Sequence, residues 1–549
     1  MNANSPVSSW DERYDLIVVG SGGGSIVASL IMKRADLSAI VLEKGTHFGG
    51  TTTLSGGVLW IPCNSRLGDR DSPAQARQYM DALIGDVGPA SSRARRDAYI
   101  REAPQMIDFL IESGMRFQDA LVTDYYHAVH PGALERGRAI LPELFDMARI
   151  GPWADRFPDS WRSPALPVSS HEIAALTIAK CNWRGRLMAL RLGWRLLRER
   201  LTGKQLRGSG RALQAGLLEI ALREDIPISM ETTVRELVVE DGRVVGVVAI
   251  RDGREVRIGA NRGVLLNAGG FARNEEMRQR YMPQPTSASW TLAGEWDTGE
   301  VLRMAIENGA ACELMGSAWW VPTSMPIDSS KPHYIVVDKS GERFCNEADC
   351  YVESGYRLYA RGAVPAFGIF DSQFRSRYTL TSLMLQPGAS AREHIKSGML
   401  IQAPTLADLA RQLQIELSGL ERTITRYNGF CAKGVDQDFH RGEITFNRAY
   451  ADASTRPNPC MGTIAKPPFY AIRIWPADVG TSGGLLTDEQ ARVLRQDGSV
   501  ITGLYATGNI TASVMGRSDP GAGATIGPSF TFGFIAAKHA AAARPRGAL

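Results

Sequence analysis

The segment Gly20-Ser21-Gly22-Gly23-Gly24-Ser25 constrains this chain most. It follows an apolar run, Tyr14 to Val19, that reads as a buried strand, and it precedes a helix running to about Arg34. Glycines at this point let the chain turn sharply and let backbone approach an anion closely. The helix N-terminus adds free N–H groups and a partial positive charge. Ala39 to Leu42 reads as a second strand ending at Glu43, 23 residues after Gly20. A carboxylate there accepts hydrogen bonds from ribose hydroxyls. Strand, turn, helix, strand and acid in register predict a dinucleotide site. Ser25 replaces the last glycine of the usual pattern and is expected to loosen helix–strand packing slightly.

Other glycine loops favour FAD over NAD. His47 to Gly57 is a second small-residue, hydroxyl-rich loop that could run beneath a flat ring. Val264 to Leu266 reads as a strand running into Asn267-Ala268-Gly269-Gly270. Gly503 to Asn509 reads as a strand ending on the cofactor, and Gly521 to Ile526 opens a helix facing the flavin. The expected cofactor contacts are Gly20, Gly22, Gly23, Gly24, Glu43 and Lys44 near the first turn. Gly50, Thr51, Thr52, Ser55, Gly56 and Gly57 supply the second loop, and Val234, Ala268 and Gly269 the middle of the chain. Gly508, Asn509, Ala524, Thr525 and Ile526 complete the set.

The remainder sets the class. At 549 residues the chain has room for two or three domains. A net charge of +4 gives no nucleic-acid footprint. Seven scattered cysteines with no CxxC pair read as reduced thiols, and no metal site is expected. The N-terminus lacks a secretory pattern, so a cytoplasmic location is expected. Pro73–Ile84 and Asp97–Ser113 show helical periodicity, and Pro131–Pro167 reads as loops. Met230–Ile258 reads as a meander turning at Asp241-Gly242 and Asp252-Gly253. The predicted architecture is α/β with an α+β cap. A Rossmann-like FAD-binding domain, 1–281 plus 466–549, carries an inserted catalytic or substrate-capping domain, 282–465.

The chain resembles the fumarate reductase/succinate dehydrogenase flavoprotein superfamily, most closely its 3-ketosteroid dehydrogenase branch. The stretches GSGGGSIVASLIMKR, VLEKGTHFGGTTTLSGGVLWIP, LLNAGGF, AWWVPT, VVDKSGERFCNEADCY, DVGTSGGLLTDE and GLYATGNITASVMGRSDPGAGATIGPSFTFGFIAAKHA carry the resemblance. It implies noncovalent FAD, an apolar ketone or steroid substrate and an unidentified electron acceptor. The branch uses three tyrosines and a glycine N–H. Tyr125 in Asp124-Tyr125-Tyr126 matches the first tyrosine. Tyr334 falls in the segment of the second, out of clear register. Asp519 stands where the third precedes P-G-x-G, and Gly523 matches the glycine. Tyr351, after the NE segment, matches a tyrosine of 4,5-desaturating relatives. The missing tyrosine leaves the position of the double bond open. Fumarate-type members clamp dicarboxylates with cations, and near the C-terminal stretch only Arg517 offers one.

Desaturating a ketone needs a donor to polarise the carbonyl, a base for the α proton and an acceptor for the β hydride. Gly523 N–H is the expected donor. Tyr125, Tyr351 or Tyr334 could be base or relay. Asp519 could donate if neutral or accept if ionised. Trp319 and Trp320 are expected as pocket wall or core. The alternatives are an enone or unsaturated-acid reductase and a flavin redox sensor without turnover. Leu187, Leu190, Trp194, Leu197 and Leu201 form a helical stripe among arginines. It is expected to pack on the protein's own body, the alternative being peripheral contact with a membrane.

Overall fold

The computed structural model describes residues 10–158, 166–177, 183–324 and 327–543. Residues 1–9, where no secretory pattern was read, and 159–165 of the predicted loop region lie outside the described residues.

β1 (Glu12–Val19) ends in four consecutive buried residues, Leu16 to Val19. This suits a parallel strand covered on both faces. α1 (Gly23–Arg34) returns the chain to β2 (Ala39–Leu42), which pairs parallel with β1. Pro73–Ile84 is a helix as the periodicity predicts, and a second helix spans Arg93–Glu112; further along the chain lie α2 (Ser170–Leu176) and α3 (Trp183–Thr202). β3 (Ile228–Ser229) then extends the sheet beyond β2. The predicted meander is β4 (Thr233–Glu240), β5 (Arg243–Arg251) and β6 (Arg254–Leu266). Its turns fall at the two Asp-Gly pairs, where both residues have positive φ: 51° and 74°, then 50° and 73°. Tight hairpin turns demand that conformation, and Asp and Gly tolerate it. Val264 to Leu266 is not a separate strand. It is the end of β6, which pairs antiparallel with β5 and parallel with β1.

A second sheet is built from β7 (Tyr334–Val337), β8 (Ala366–Asp371), β9 (Ile401–Ala403) and β10 (Phe469–Ile474), in the order β7–β8–β10–β9. α4 (Tyr351–Arg361) lies between β7 and β8 in sequence. This sheet has its own apolar cores, one of Ile335, Phe367, Leu409 and Leu420, another of Tyr334, Val336, Phe370 and Phe374. β10 lies just past the expected boundary at 465. Its residues were assigned to the C-terminal return, yet they pair with β8 along six positions. β11 (Arg492–Leu494) and β12 (Val500–Ala506) rejoin the first sheet, whose order is β11–β12–β6–β1–β2–β3 with β5 and β4 branching from β6. α5 (Ile526–Ala542), buried along most of its length, packs against α1.

Two further expectations change. Pro131–Pro167 is not all loop: Ala139–Pro142 is a buried strand paired with Leu59–Trp60. The stripe on α3 does not pack on the body. Leu187, Leu190, Trp194, Leu197 and Leu201 are all exposed, because α3 turns its opposite face inward. No helix among the described residues is long and apolar enough to cross a membrane.

Candidate active site

A cavity of about 820 Å³ opens at the C-terminal ends of β1, β2 and β6 and runs to the second sheet's side of the molecule. One end is a glycine cradle. Gly20 has φ 97°, and a methyl there would lie 2.3 Å from the Asn267 carbonyl oxygen. Ser21 ties three segments together. Its N–H and hydroxyl donate to one Glu43 oxygen at 2.9 and 2.6 Å, and its Oγ accepts from the Gly49 N–H at 2.8 Å. The other Glu43 oxygen accepts from the Gly45 N–H at 2.8 Å. A carboxylate has about four acceptor sites, so Glu43 keeps capacity for hydroxyls.

Every predicted cofactor contact lines this cavity except Gly23 and Gly24. Those two face α5. A methyl at Gly23 would lie 1.6 Å from a Phe530 ring carbon, and one at Gly24 would lie 2.4 Å from the Ser529 carbonyl oxygen. The run therefore does two jobs: Gly20 and Gly22, which line the cavity, let the chain pass close to Asn267, and Gly23 and Gly24 admit a helix. Ser25 acts in the turn itself. Its hydroxyl donates to the Gly20 carbonyl at 2.7 Å and closes it.

Sequence reasoning missed several lining residues. Arg273 donates to the Ala293 carbonyl at 2.8 Å. Glu300 pairs with Lys44 at 2.8 Å. Asp297 is buried against Gly269, and no well-aligned donor reaches its carboxyl oxygens. Burial, then the neighbouring Asp478, push its carboxyl up to about 7. Tyr450 and the α2 residues Ser170 and Ile173 also line the cavity. No local pattern marks them, because loops distant in sequence bring them in. The carboxyl oxygens of Asp297, which no well-aligned donor reaches, the methyl-excluding cradle and the remaining acceptor site of Glu43 together fit a cofactor with ribose and ribityl hydroxyls around a diphosphate, which is FAD.

At the other end the predicted reacting groups meet. Tyr125 and Tyr351 hydroxyls lie 3.0 Å apart with their rings edge to face. Tyr351 opens α4. Tyr125 is placed by its own N–H, which donates to the Pro520 carbonyl at 3.1 Å. Beside it Asp124 accepts from Trp60 at 2.8 Å and from Arg138 at 2.7 Å. Arg138 also grips Asp71 through two nitrogens, at 2.8 and 2.6 Å, so buried charges are paired and fix this loop. Burial raises Tyr125 and Tyr351 well above the usual phenol range.

Asp519 is buried in the same wall, with Gly523 beyond it. Burial pushes its carboxyl up to about 7, while the Gly521 N–H at 3.3 Å and the Tyr351 hydroxyl pull the other way. Trp319 lines the cavity. Trp320 does not: it is fully buried against Tyr359, at 5.2 Å. Tyr334 does not reach the site either. It stacks on Phe370 at 5.5 Å and its hydroxyl meets Ser324 at 2.6 Å. Arg517 is exposed and does not line the cavity.

The FAD binding domain family matches residues 15–526 of the chain. A 3-oxosteroid 1-dehydrogenase of Mycolicibacterium smegmatis is 40% identical, over 97% of this chain and 98% of the relative. A 4-oxocyclohexanecarboxylate 2-dehydrogenase of Sinomonas cyclohexanicum is 32% identical, over 96% of this chain and 92% of the relative. The crystal structure of 3-ketosteroid delta1-dehydrogenase from Sterolibacterium denitrificans, in complex with 1,4-androstadiene-3,17-dione, superposes with a TM-score of 0.92 at 37% identity. The match covers 97% of this chain and all of that one.

Proposed function

The chain belongs to the FAD binding domain family, and from that premise we propose that it is an FAD-dependent 3-ketosteroid dehydrogenase that introduces a double bond beside the ketone, between carbons 1 and 2. The observation that carries this reading is the meeting of Tyr125, Tyr351 and Asp519 in one wall of the cavity whose other end is the glycine cradle. Residues 1–281 with the C-terminal return form a Rossmann-like cofactor domain, and the second sheet, extended to Ile474, forms the cap.

Gly20, Gly22, Glu43 and the loops at Thr51 and Asn509 would hold FAD without a covalent link, and when bound it would supply the acceptor for the β hydride. The rest is the work of this chain's side chains and backbone. The Gly523 N–H donates to the ketone oxygen and makes the α proton acidic. The α proton passes to the Tyr351 hydroxyl oxygen as Tyr351's own proton passes to the Asp519 carboxylate. Tyr125 donates to the Tyr351 oxygen and stabilises the charge that builds there. A phenol held far above pH 10 in an apolar wall is a poor base alone. A carboxyl near pH 7 behind it supplies the missing acceptor.

A steroid suits the cavity better than a ketone carrying a carboxylate. The cations Lys44 and Arg273 act on carboxyls at the cradle end, both on Asp297 and Lys44 also on Glu300, and no cation shifts Asp519 at the reacting end. Incubating the enzyme with 4-androstene-3,17-dione and an artificial electron acceptor tests the reading: the product should be lighter by two hydrogens with a new olefinic pair at carbons 1 and 2. A new bond elsewhere in the ring system would refute the assignment.

A further inference from the structure

Arg138 is a buried cation that does not line the cavity. It stands one residue ahead of the strand Ala139–Pro142, and its carbonyl accepts from the Ile61 N–H at 2.7 Å. The pairing of that strand with Leu59–Trp60 therefore fixes its backbone. Its guanidinium donates twice to Asp71, at 2.8 and 2.6 Å, and once to Asp124, at 2.7 Å. The three side chains are at most 3% exposed. Taking three charges out of water is expensive, and apolar side chains of similar volume often stabilise such a site as well. Stability alone does not account for the cluster.

Its contacts join the two halves of the reacting wall. One half is the segment of Asp124 and Tyr125, whose hydroxyl meets Tyr351 at 3.0 Å. The other half is the loop from Asp519 to Gly523. Arg138 lies over two rings, Trp60 at 5.6 Å and Tyr79 at 5.5 Å. Both of these residues hold that loop. The Trp60 N–H donates to the Gly523 carbonyl at 3.2 Å, and the Tyr79 hydroxyl donates to the Pro520 carbonyl at 2.7 Å. The same Pro520 carbonyl accepts from the Tyr125 N–H at 3.1 Å, and Trp60 Nε1 returns to Asp124 at 2.8 Å. A planar guanidinium suits this place. Its edge grips carboxylates while its faces lie on rings, and an ammonium does neither as well.

We propose that Arg138 is a positioning residue: through Asp124 it sets Tyr125 against the loop from Asp519 to Gly523, so that the Tyr125 hydroxyl meets Tyr351. The kinetic consequence rests on the dehydrogenase reading above; the positioning does not.

Arg138→Lys in the FAD-loaded, full-length protein tests this, because it keeps the charge and loses the fork and the flat face. Anaerobic flavin reduction by 4-androstene-3,17-dione should slow by about 10–10²-fold, the scale of a misplacement of about 1 Å. The steroid concentration for half-maximal rate and the flavin content should hold. In a Tyr125→Phe background the same change should slow reduction by no more than about threefold, because the hydroxyl it positions is gone. A crystal structure of Arg138→Lys should show the two tyrosine hydroxyls further apart than 3.0 Å, with the Trp60 to Gly523 contact kept. Equal slowing in both backgrounds would mean that Arg138 only stabilises the fold, and would overturn the proposal. So would an unmoved Tyr125 hydroxyl in the variant. If Arg138→Lys does not fold, Asp71→Asn weakens the grip on the guanidinium and leaves Asp124 paired, and it is judged by the same readings. Wild-type enzyme that no ketosteroid reduces would sink the dehydrogenase reading alone, and the separation of the two hydroxyls would then decide the proposal.

Discussion

Asp519 offers the sharpest perturbation, because its carboxyl is the proton acceptor of the proposed relay and also a cost to the fold. Burial lifts it from 3.8 to about 7. At about 1.4 kcal/mol per pH unit, the anion is held in the folded enzyme at a cost of about 4 kcal/mol. Between about pH 4 and pH 7 the folded carboxyl keeps a proton that the unfolded one has lost. Stability therefore falls as pH rises through that window, and levels off above it. Asp519→Asn removes the titration and keeps the shape. The variant should match wild type near pH 4 and exceed it by up to about 4 kcal/mol above pH 8, a Tm gap on the order of 5 °C for a chain of this size. Activity should move the other way. Wild-type flavin reduction by a steroid ketone should rise with pH around 7, as Asp519 ionises. The Asn variant should be slower by about 10²–10⁴-fold and lack that rise. Thermal unfolding of the holoenzyme across pH and anaerobic stopped-flow read the two effects. An Asn variant with the wild-type rate and the same rise near pH 7 would refute the acceptor role. A Tm gap that does not open with pH would refute the burial argument.

Tyr125→Phe removes the hydroxyl 3.0 Å from Tyr351 and should slow flavin reduction by about 10²-fold or more while flavin content holds; near wild-type turnover would make Tyr125 a packing residue. Gly23→Ala sets a methyl against Phe530 and should cost roughly 1–3 kcal/mol by overpacking, read as a lower Tm and faster FAD loss on gel filtration. An unchanged Tm would show that α1 and α5 are not in close contact there. Acid precipitation should release a yellow supernatant, and flavin retained in the pellet would contradict a noncovalent cofactor.

What was legible in the sequence was local. The strand, turn and helix around Gly20, the acid at Glu43 and the hairpin turns at the Asp-Gly pairs are each specified by neighbouring residues, and they form as read. Tyr125, Asp519 and Gly523 were singled out from short motifs, and the fold brings all three to one wall. Tyr334 and Tyr351 could not be ranked without the fold. Tyr334 sits in β7, where a buried strand packs it between Phe370 and Phe374, whereas Tyr351 opens a helix that points at the cavity. Asp297, Arg273 and Tyr450 carry no local signature, because their neighbours in space are far away in sequence. The glycine run hid its second purpose for the same reason: α5, some 500 residues on, decides that Gly23 and Gly24 face a helix. On α3 periodicity shows that an apolar face exists, but not whether anything covers it.

In the proposed reaction a saturated ring carbon pair beside a ketone gives its hydride to flavin in this cavity. Anaerobic mixing of the oxidised holoenzyme with 4-androstene-3,17-dione tests it without any added electron acceptor. The yellow flavin should bleach in stoichiometry with a product lacking two hydrogens, and colour should return when an acceptor is added. Flavin that stays yellow with ketosteroids, bleaches only with an external reductant and recovers on adding an enone would contradict it.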